Sequence, residues 1–123
     1  MKGNISRTKA DKTAITTSAD TTATLTMANN TEVRYGTVTS IELVLPSTIP
    51  DDYISSVVFT SGSPAADFDV DEGTTNFIYP STIKMTGENC SGGIFTPMAN
   101  KRYTVILTYD GVYVSGVVGG VSI

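Results

Sequence analysis

The stretch that most constrains the fold lies near the end of the 123-residue chain, from Asn100 to Val118. It places Asp110-Gly111 between two runs of β-branched and aromatic residues, which is a strong signal for a β-hairpin. A two-residue turn there sets Tyr109 opposite Val112 and fixes which residues share a face. One face is then almost wholly apolar and is predicted to lie in the core: Tyr103, Val105, Leu107, Tyr109, Val112, Val114, Gly116 and Val118.

The opposite face of this hairpin carries more large apolar side chains than a surface bathed in water requires. It includes Ile106, Tyr113 and Val117, and an earlier run with a strand pattern places Ile54 and Val58 on its own second face. We therefore expect the hairpin to be a central pair of a sheet whose second face is covered, either by another sheet or by a neighbouring subunit. These five residues are the candidates for an oligomer interface.

Short runs of this kind recur along the chain, at spacings of roughly 8 to 12 residues with Gly, Pro and Asn between them. We count about nine or ten such strands, and no segment has a helical pattern of more than a turn. The many Thr, Ser, Val and Gly residues suit a pleated surface. The pattern predicts an all-β domain over residues 21–123, an antiparallel β-sandwich of the jelly-roll type.

Residues 1–20 differ from the rest because they show neither helical nor strand periodicity. Ile5 and Ile15 are their only sizeable apolar residues, so the segment cannot offset its own ordering entropy. We predict an extended arm that needs a partner to become ordered. Its candidate anchoring residues combine positive charge with these two isoleucines: Lys2, Ile5, Arg7, Lys9, Lys12 and Ile15.

The arm and the body differ in net charge. Residues 1–20 hold four basic and two acidic groups, a net charge of 4 − 2 = +2, and residues 21–123 hold four basic and ten acidic groups, a net charge of 4 − 10 = −6. An acidic body repels phosphates, so we expect no nucleic-acid partner. No run of about 18 apolar residues and no signal-peptide pattern is present, so we expect no membrane partner and a product that stays in the cytoplasm or enters a larger particle.

Candidate catalytic residues are scarce. The chain has no histidine and one cysteine, Cys90, so a thiol nucleophile would have no imidazole base. We expect Cys90 to be a small, partly buried apolar residue. We predict neither catalytic nor cofactor-binding residues and no enzymatic activity.

The alternating carboxylates Asp67, Asp69 and Asp71 resemble the start of a calcium loop. The match fails because Gly73 comes one residue late and Ile78 stands where the bidentate glutamate belongs. The alternative is an exposed strand face, with the intervening apolar residues pointing inward. We predict no metal site, and calcium binding stays open at this point.

Several short motifs, in this order, resemble β-sandwich modules of virion proteins from tailed bacteriophages, of the head-fibre and tail-fibre type. They span roughly residues 22–121: Asn30-Thr-Glu-x-Arg-Tyr35, Val38-Thr-Ser-Ile41, Phe59-Thr-Ser-Gly62, Ile83-Lys-x-x-Gly87, Phe95-x-Pro97-x-Ala-Asn-Lys-Arg-Tyr103, Tyr109-Asp-Gly111 and Gly116-Val-Val118. The arm lies outside this resemblance.

The resemblance implies a structural virion protein whose partners are other virion proteins. With a short arm and no long shaft before the module, it implies a capsid-bound decoration or head-fibre subunit, a homotrimer anchored to the capsid shell by its arm. The alternative is a tail-fibre or carbohydrate-binding module that attaches the particle to host or mucosal glycans. An exposed cluster of aromatic side chains beside Asp or Asn would distinguish the second function from the first.

Overall fold

The computed structural model describes residues 14–18, 22–26, 28–46, 48–71 and 83–123. These residues contain no helix and form strands in the following order: β1 (Ala14–Ser18), β2 (Thr22–Thr26), β3 (Thr31–Val38), β4 (Ser40–Val44), β5 (Ile54–Ser61), β6 (Asp67–Asp71), β7 (Lys84–Gly87), β8 (Cys90–Ser91), β9 (Ile94–Phe95), β10 (Lys101–Tyr109) and β11 (Val114–Ser122). The prediction of an all-β protein is confirmed for this part of the chain.

The first six strands alternate between two sheets. β1, β3 and β5 lie in a six-stranded sheet of order β1-β3-β5-β10-β11-β7, and β2, β4 and β6 form a three-stranded sheet. Each of these strands is followed by a strand in the other sheet. When the chain returns to the first sheet, the new strand runs in the same direction as the previous strand of that sheet, and the two pair in parallel.

The antiparallel prediction is therefore wrong for most of the fold. Antiparallel pairing is found where β10 meets β5 and β11, and in the short pair β8–β9. Turn residues reveal where strands end, but they do not reveal which sheet the next strand joins. Two open sheets over a common core remain compatible with the predicted sandwich.

β1 lies inside the segment predicted to be an arm without regular structure. Its residues Ala14 to Ser18 pair in parallel with Thr31 to Tyr35 of β3, at one edge of the main sheet. The sequence contains little sign of this strand because, apart from Ile15, it consists of Ala, Thr and Ser. Backbone pairing with β3 positions this strand at the edge of the main sheet. The other anchoring candidates, Lys2, Ile5, Arg7, Lys9 and Lys12, lie outside the described residues.

The hairpin of β10 and β11 is a central pair, with β5 beyond β10 and β7 beyond β11. Its register pairs Tyr109 with Val114, so the loop comprises the four residues from Asp110 to Tyr113 and not two. The predicted register is wrong by two residues. An even shift leaves every side chain of the strands on its predicted face, because the side-chain period of a strand is two. Val112 is the exception: it lies in the loop and is 64% exposed.

The core lies between the two sheets and joins them through aromatic rings. Phe68 on β6 packs edge-on against Phe95 at 4.8 Å between centroids, and Phe95 packs against Tyr103 on β10 at 4.9 Å. Phe59 on β5 completes the group at 5.7 Å from Tyr103. Edge-to-face pairs add stabilisation beyond the area that they bury. The three-stranded sheet therefore packs on the face of the main sheet that the sequence assigned to the core.

Gly87, at the end of β7, is required by the close approach of β11. Its φ is +109°, which L side chains rarely adopt, and a Cβ there would overlap the carbonyl oxygen of Val118. The pairing of β7 with β11 ends at this contact, because Gly87 is the partner of Val118. A glycine is needed here both for its backbone conformation and for its lack of a side chain.

We predict that Gly87→Ala destabilises the protein by about 2–4 kcal/mol, since backbone strain and overlap with a main-chain atom add. Urea unfolding followed by circular dichroism measures this difference. Gly36→Ala is the control, because a Cβ at Gly36 meets no atom within 4 Å. The control should change stability by less than about 1 kcal/mol. Equal effects of the two substitutions would contradict the assigned contact.

Tyr53, directly before β5, gives a second prediction. Its side chain is buried, and burial raises its pKa to about 12, partly opposed by the hydrogen bond of 2.7 Å with the hydroxyl of Ser55. In the unfolded chain the phenol ionises near pH 10. The folded state therefore resists ionisation, and this stabilisation is present below pH 10 and is lost as the pH rises to about 12.

We expect the free energy of unfolding to fall by about 2–3 kcal/mol more in the wild type than in Tyr53→Phe between pH 9.5 and 12. Near neutral pH, Tyr53→Phe should cost roughly 1–2 kcal/mol because Ser55 loses a buried partner. Urea unfolding of both proteins at several pH values measures the difference. A parallel decline of the two curves would show that Tyr53 ionises as it does in water.

Candidate functional site

We call the side of the main sheet that faces away from the three-stranded sheet the outer face. Because residues directly opposite in a ladder point to the same side, the register places Ile54 and Val58 of β5, Ile106 of β10 and Val117 of β11 on this face. Tyr113 directly precedes β11 in the same alternation. All five predicted interface residues thus lie on one side of the molecule, although they come from strands distant in sequence.

The exposure of these residues is uneven. Ile54, Val58 and Ile106 are half-buried, whereas Tyr113 is 58% and Val117 55% exposed. The second sheet does not cover them, since it packs on the core face through Phe68. Of the two covers that the sequence left open, a second sheet is excluded for Tyr113 and Val117. The assignment of this face to an oligomer interface stays a prediction.

Two further members of the outer face were missed from the sequence. Val121 is 67% exposed near the end of β11, and Gly119 faces open space, since a Cβ added to it would meet no atom within 4 Å. The strand alternation that contains Tyr113 and Val117 also contains both residues. Gly116, Gly119 and Gly120 make this alternation difficult to recognise in the sequence, because glycine is uncommon in strand interiors.

The outer face carries little charge at its centre. Across the described positions of β5, β10 and β11 that point outward, Arg102 is the one charged residue. Its guanidinium donates to the carbonyl oxygen of Tyr35 at 3.0 Å and to the hydroxyl of Thr60 at 2.7 Å. The cation is therefore held against its own subunit. Two further charges form an ion pair on β3, where the guanidinium of Arg34 donates to the buried carboxylate of Glu32 at 2.6 Å, and the exposed Lys84 lies on β7.

The hairpin loop fixes the position of Tyr113. The carboxylate of Asp110 accepts hydrogen bonds from the backbone N–H groups of Val112 at 2.8 Å and Tyr113 at 2.7 Å. These bonds hold the pKa of Asp110 below its usual value, and the bond from the N–H of Tyr113 has the larger effect. Since the charged form is favoured, the loop keeps this closure at neutral pH. Asp110 thus acts through its side chain and not only as a residue that tolerates a turn.

A polar cluster lies at the other end of the hairpin, where β10 begins. Lys101 contacts the carboxylate of Glu88 and donates to the side-chain oxygen of Asn89 at 3.2 Å. The buried Tyr103 donates to the same oxygen at 2.5 Å and accepts from the backbone N–H of Met98 at 2.9 Å. Glu88 raises the pKa of Lys101 through this contact. The cluster ties the turn after β7 to β10 and holds its members in mutual hydrogen bonds.

The aspartates that resemble a calcium loop lie on a strand. Asp67 and Asp69 are exposed on β6, while Phe68 is half-buried and Val70 is buried in the core. This is the alternative left open from the sequence, an exposed strand face with its apolar residues inward. Gly73 and Ile78 lie outside the described residues. Within the described ranges, no three Asp, Glu or Cys side chains form a group that could hold a metal ion.

Glu42 on β4 lies beside Asp69 in the parallel register and extends this acidic surface. The outer side of the three-stranded sheet therefore differs in character from the outer face of the main sheet. One is acidic and the other is almost free of charge at its centre. A contact between two copies through the acidic surface would set like charges opposite one another, which is destabilising.

No family model, curated protein or solved structure matches this chain. In the described part of the chain, no helix is long and apolar enough to cross a bilayer.

Cys90 adjoins the polar cluster and gives a prediction of its own. The thiol is half-buried and lies 3.5 Å from the carbonyl oxygen of Glu88. Burial, and next the negative charge of Glu88, raise its pKa. The thiolate is the reactive form, so Cys90 should react more slowly than an open thiol.

We expect iodoacetamide at pH 8 to alkylate Cys90 at least several-fold more slowly in the folded protein than in urea, followed by intact mass. Glu88→Gln should speed the reaction of the folded protein because it removes the nearby negative charge. Glu42→Gln is the control substitution on the acidic surface and should leave the rate unchanged. Equal rates in the folded and unfolded states would contradict the assigned environment.

Proposed function

We propose that this chain is a structural virion protein of a tailed bacteriophage, a capsid-bound decoration or head-fibre subunit. In this proposal its two sheets pack as a β-sandwich, its N-terminal arm anchors it to the capsid shell, and the body projects as a homotrimer. The virion is then its location, and other virion proteins and its own copies are its partners.

One observation carries the proposal. The outer face of the main sheet is nearly uncharged at its centre and exposes Tyr113, Val117 and Val121. Exposed apolar rows of this kind are typical of surfaces that another protein covers. A subunit built into a particle has such a surface where it meets its neighbours. The resemblance of the strand and turn motifs to virion modules supports the same function.

The arm supplies the second element of the proposal. Its basic residues give residues 1–20 a charge of +2 on a body of −6, so arm and body suit different partners. Because Ala14–Ser18 is part of the main sheet, the segment that can reach a shell protein ends before Ala14. The anchoring candidates Lys2, Ile5, Arg7, Lys9 and Lys12 all precede this strand.

Attachment to glycans has less support. Sugar sites need exposed aromatic rings near polar groups, and Tyr113 is the only exposed aromatic side chain among the described residues. The nearest carboxylate in sequence, Asp110, is engaged by two backbone N–H groups. A glycan array with the purified protein would favour this alternative if binding is found and Tyr113→Ala abolishes it.

The proposal predicts that mass spectrometry of purified phage particles detects the chain as a stoichiometric component. Deletion of residues 2–12 should lower its incorporation at least tenfold, while the purified body keeps the circular dichroism spectrum of a β protein. This deletion stops short of β1, so a loss cannot be attributed to a broken sheet.

Two further variants sharpen this experiment. Replacing Lys2, Arg7, Lys9 and Lys12 by Gln tests the charge alone, and Asp69→Asn is the control on the acidic surface of the body. Incorporation should fall with the first and remain with the second. Undiminished incorporation of the deletion variant would overturn the anchoring role, and absence of the wild-type chain from particles would overturn the virion assignment.

A further inference from the structure

The polar cluster at the start of β10 brings an amine and a carboxamide together. Nζ of Lys101, the first residue of β10, lies 3.2 Å from Oδ1 of Asn89, which directly precedes β8. The side-chain carbonyl carbon of Asn89 is one bond from that oxygen, so a small rotation of the lysine side chain brings the nitrogen to this carbon. Reacting atoms held about 3–3.5 Å apart are in the range from which intramolecular reactions proceed.

Glu88 contacts the same amine. Its carboxylate forms an ion pair with Nζ of Lys101, whose side chain is only 15% exposed. A carboxylate in this position can take a proton from the attacking amine and pass it to a leaving group. Gly120 leaves room for this arrangement, because a Cβ there would lie 2.9 Å from side-chain atoms of both Glu88 and Tyr103.

The hydroxyl of Tyr103 has a fixed direction. It accepts a hydrogen bond from the backbone N–H of Met98 at 2.9 Å, so its own proton points to Oδ1 of Asn89 at 2.5 Å. The Tyr103 side chain is fully buried, and its ring packs edge-on against Phe95. A donor that is held in this way stabilises the negative charge that develops on a carbonyl oxygen when a nucleophile attacks.

The carboxamide of Asn89 is oriented by contacts at both of its ends. Oδ1 faces Lys101 and Tyr103, whereas Nδ2 donates to the sulfur of Met98 at 3.0 Å. Met98 is 55% exposed, so ammonia released from Nδ2 has a short route to solvent. The backbone of Asn89 is held as well, since its carbonyl oxygen accepts from the N–H of Thr96 at 3.1 Å.

We propose that Lys101 and Asn89 form an intramolecular isopeptide bond, with Glu88 as the proton carrier and Tyr103 as the hydrogen-bond donor to the carbonyl oxygen. The four side chains supply the nucleophile, the electrophile, the base and the oxyanion donor of an acyl transfer. The bond closes a loop over residues 89–101 and joins the turn after β7 covalently to β10. The inference goes beyond the proposed function and does not depend on it.

The reaction is balanced without an oxidant, a reductant or water. The Glu88 carboxylate takes a proton from the Lys101 ammonium, and the lone pair of the neutral amine forms a bond to the side-chain carbon of Asn89. The C=O electron pair moves to Oδ1, which Tyr103 stabilises. Glu88 passes its proton to Nδ2 and takes one from the attacking nitrogen. The bond to Nδ2 then breaks, the C=O bond re-forms, and the released ammonia takes the proton from Glu88 and leaves as ammonium.

The same ion pair limits the rate at neutral pH. The hydrogen bond with Glu88 raises the pKa of Lys101, so the neutral amine that attacks is scarce near pH 7. Glu88 and Tyr103 are titratable side chains that face this amine. Below the pKa of the lysine, the neutral fraction rises about tenfold for each unit of pH. The bond should therefore form faster as the solution becomes alkaline.

The intact mass of the purified protein tests the proposal. After incubation at about pH 9, the wild type should be lighter by one ammonia, about 17 Da, and the loss should be slower at about pH 7. Lys101→Arg should keep its full mass, because a guanidinium stays protonated and does not attack. Lys84→Arg is the matched control: it replaces a lysine of β7 outside the cluster and should lose ammonia as the wild type does.

Tryptic peptides locate the bond. Trypsin does not cleave after an acylated lysine, so the peptide 85–102 should replace the peptide 85–101 and be lighter than its sequence by the mass of ammonia. Glu88→Gln and Tyr103→Phe should each slow the mass loss at least tenfold at about pH 9. Circular dichroism checks that both variants keep their strands.

Three results would overturn the inference. The first is an unchanged mass of the wild type after incubation at about pH 9. The second is an equal loss in the wild type and in Lys101→Arg, which indicates cyclisation of an asparagine to a succinimide, a reaction that releases the same ammonia. The third is tryptic cleavage after Lys101 in the lighter protein. The incorporation of the chain into particles is measured separately, so either proposal can fail without the other.

Discussion

The structure depends on the pairing of β10 along both of its sides. β5 lies antiparallel on one side and β11 on the other, and both ladders run over nearly the whole length of the strand. β10 thereby joins two parts with different topology: the parallel strands that alternate between two sheets, and the C-terminal hairpin with β7. Its inward residues Tyr103, Val105 and Leu107 are fully buried, so backbone pairing and apolar burial reinforce each other in one element.

This central strand also explains why the molecule has two unlike outer surfaces. The inward side chains of β10 pack in the core between the two sheets. The acidic side of the three-stranded sheet faces away from this core, toward solvent. The outward side of β10 and β11 has no sheet above its exposed valines. A sheet with one covered face normally carries polar residues on the other. The departure from that pattern, concentrated on β11, is the feature that supports association.

The sequence alone predicted the character of most strands and both faces of the hairpin. The face with Tyr103, Val105 and Leu107 is core, and Phe68 and Val70 point inward, away from the exposed Asp67 and Asp69. These predictions held because side-chain alternation is a local property, and because an error of two residues in register leaves it unchanged. The loop length was mistaken because Asp110 closes a four-residue turn through its carboxylate, which the dipeptide Asp-Gly does not distinguish from a two-residue turn.

The alternation of side chains along each strand thus determined which residues are buried. Once the strands are paired, the same alternation places Ile54, Val58, Ile106 and Val117 on one face. Only the tertiary structure decided which strands are paired. The parallel ladders of β1, β3 and β5 join segments separated by 17 to 24 residues, such as Ala14 with Thr31 and Thr31 with Ser55. Backbone hydrogen bonds between strands are nearly independent of side-chain identity, so the choice of partner depends on the packing of the whole core and leaves little trace in any one segment.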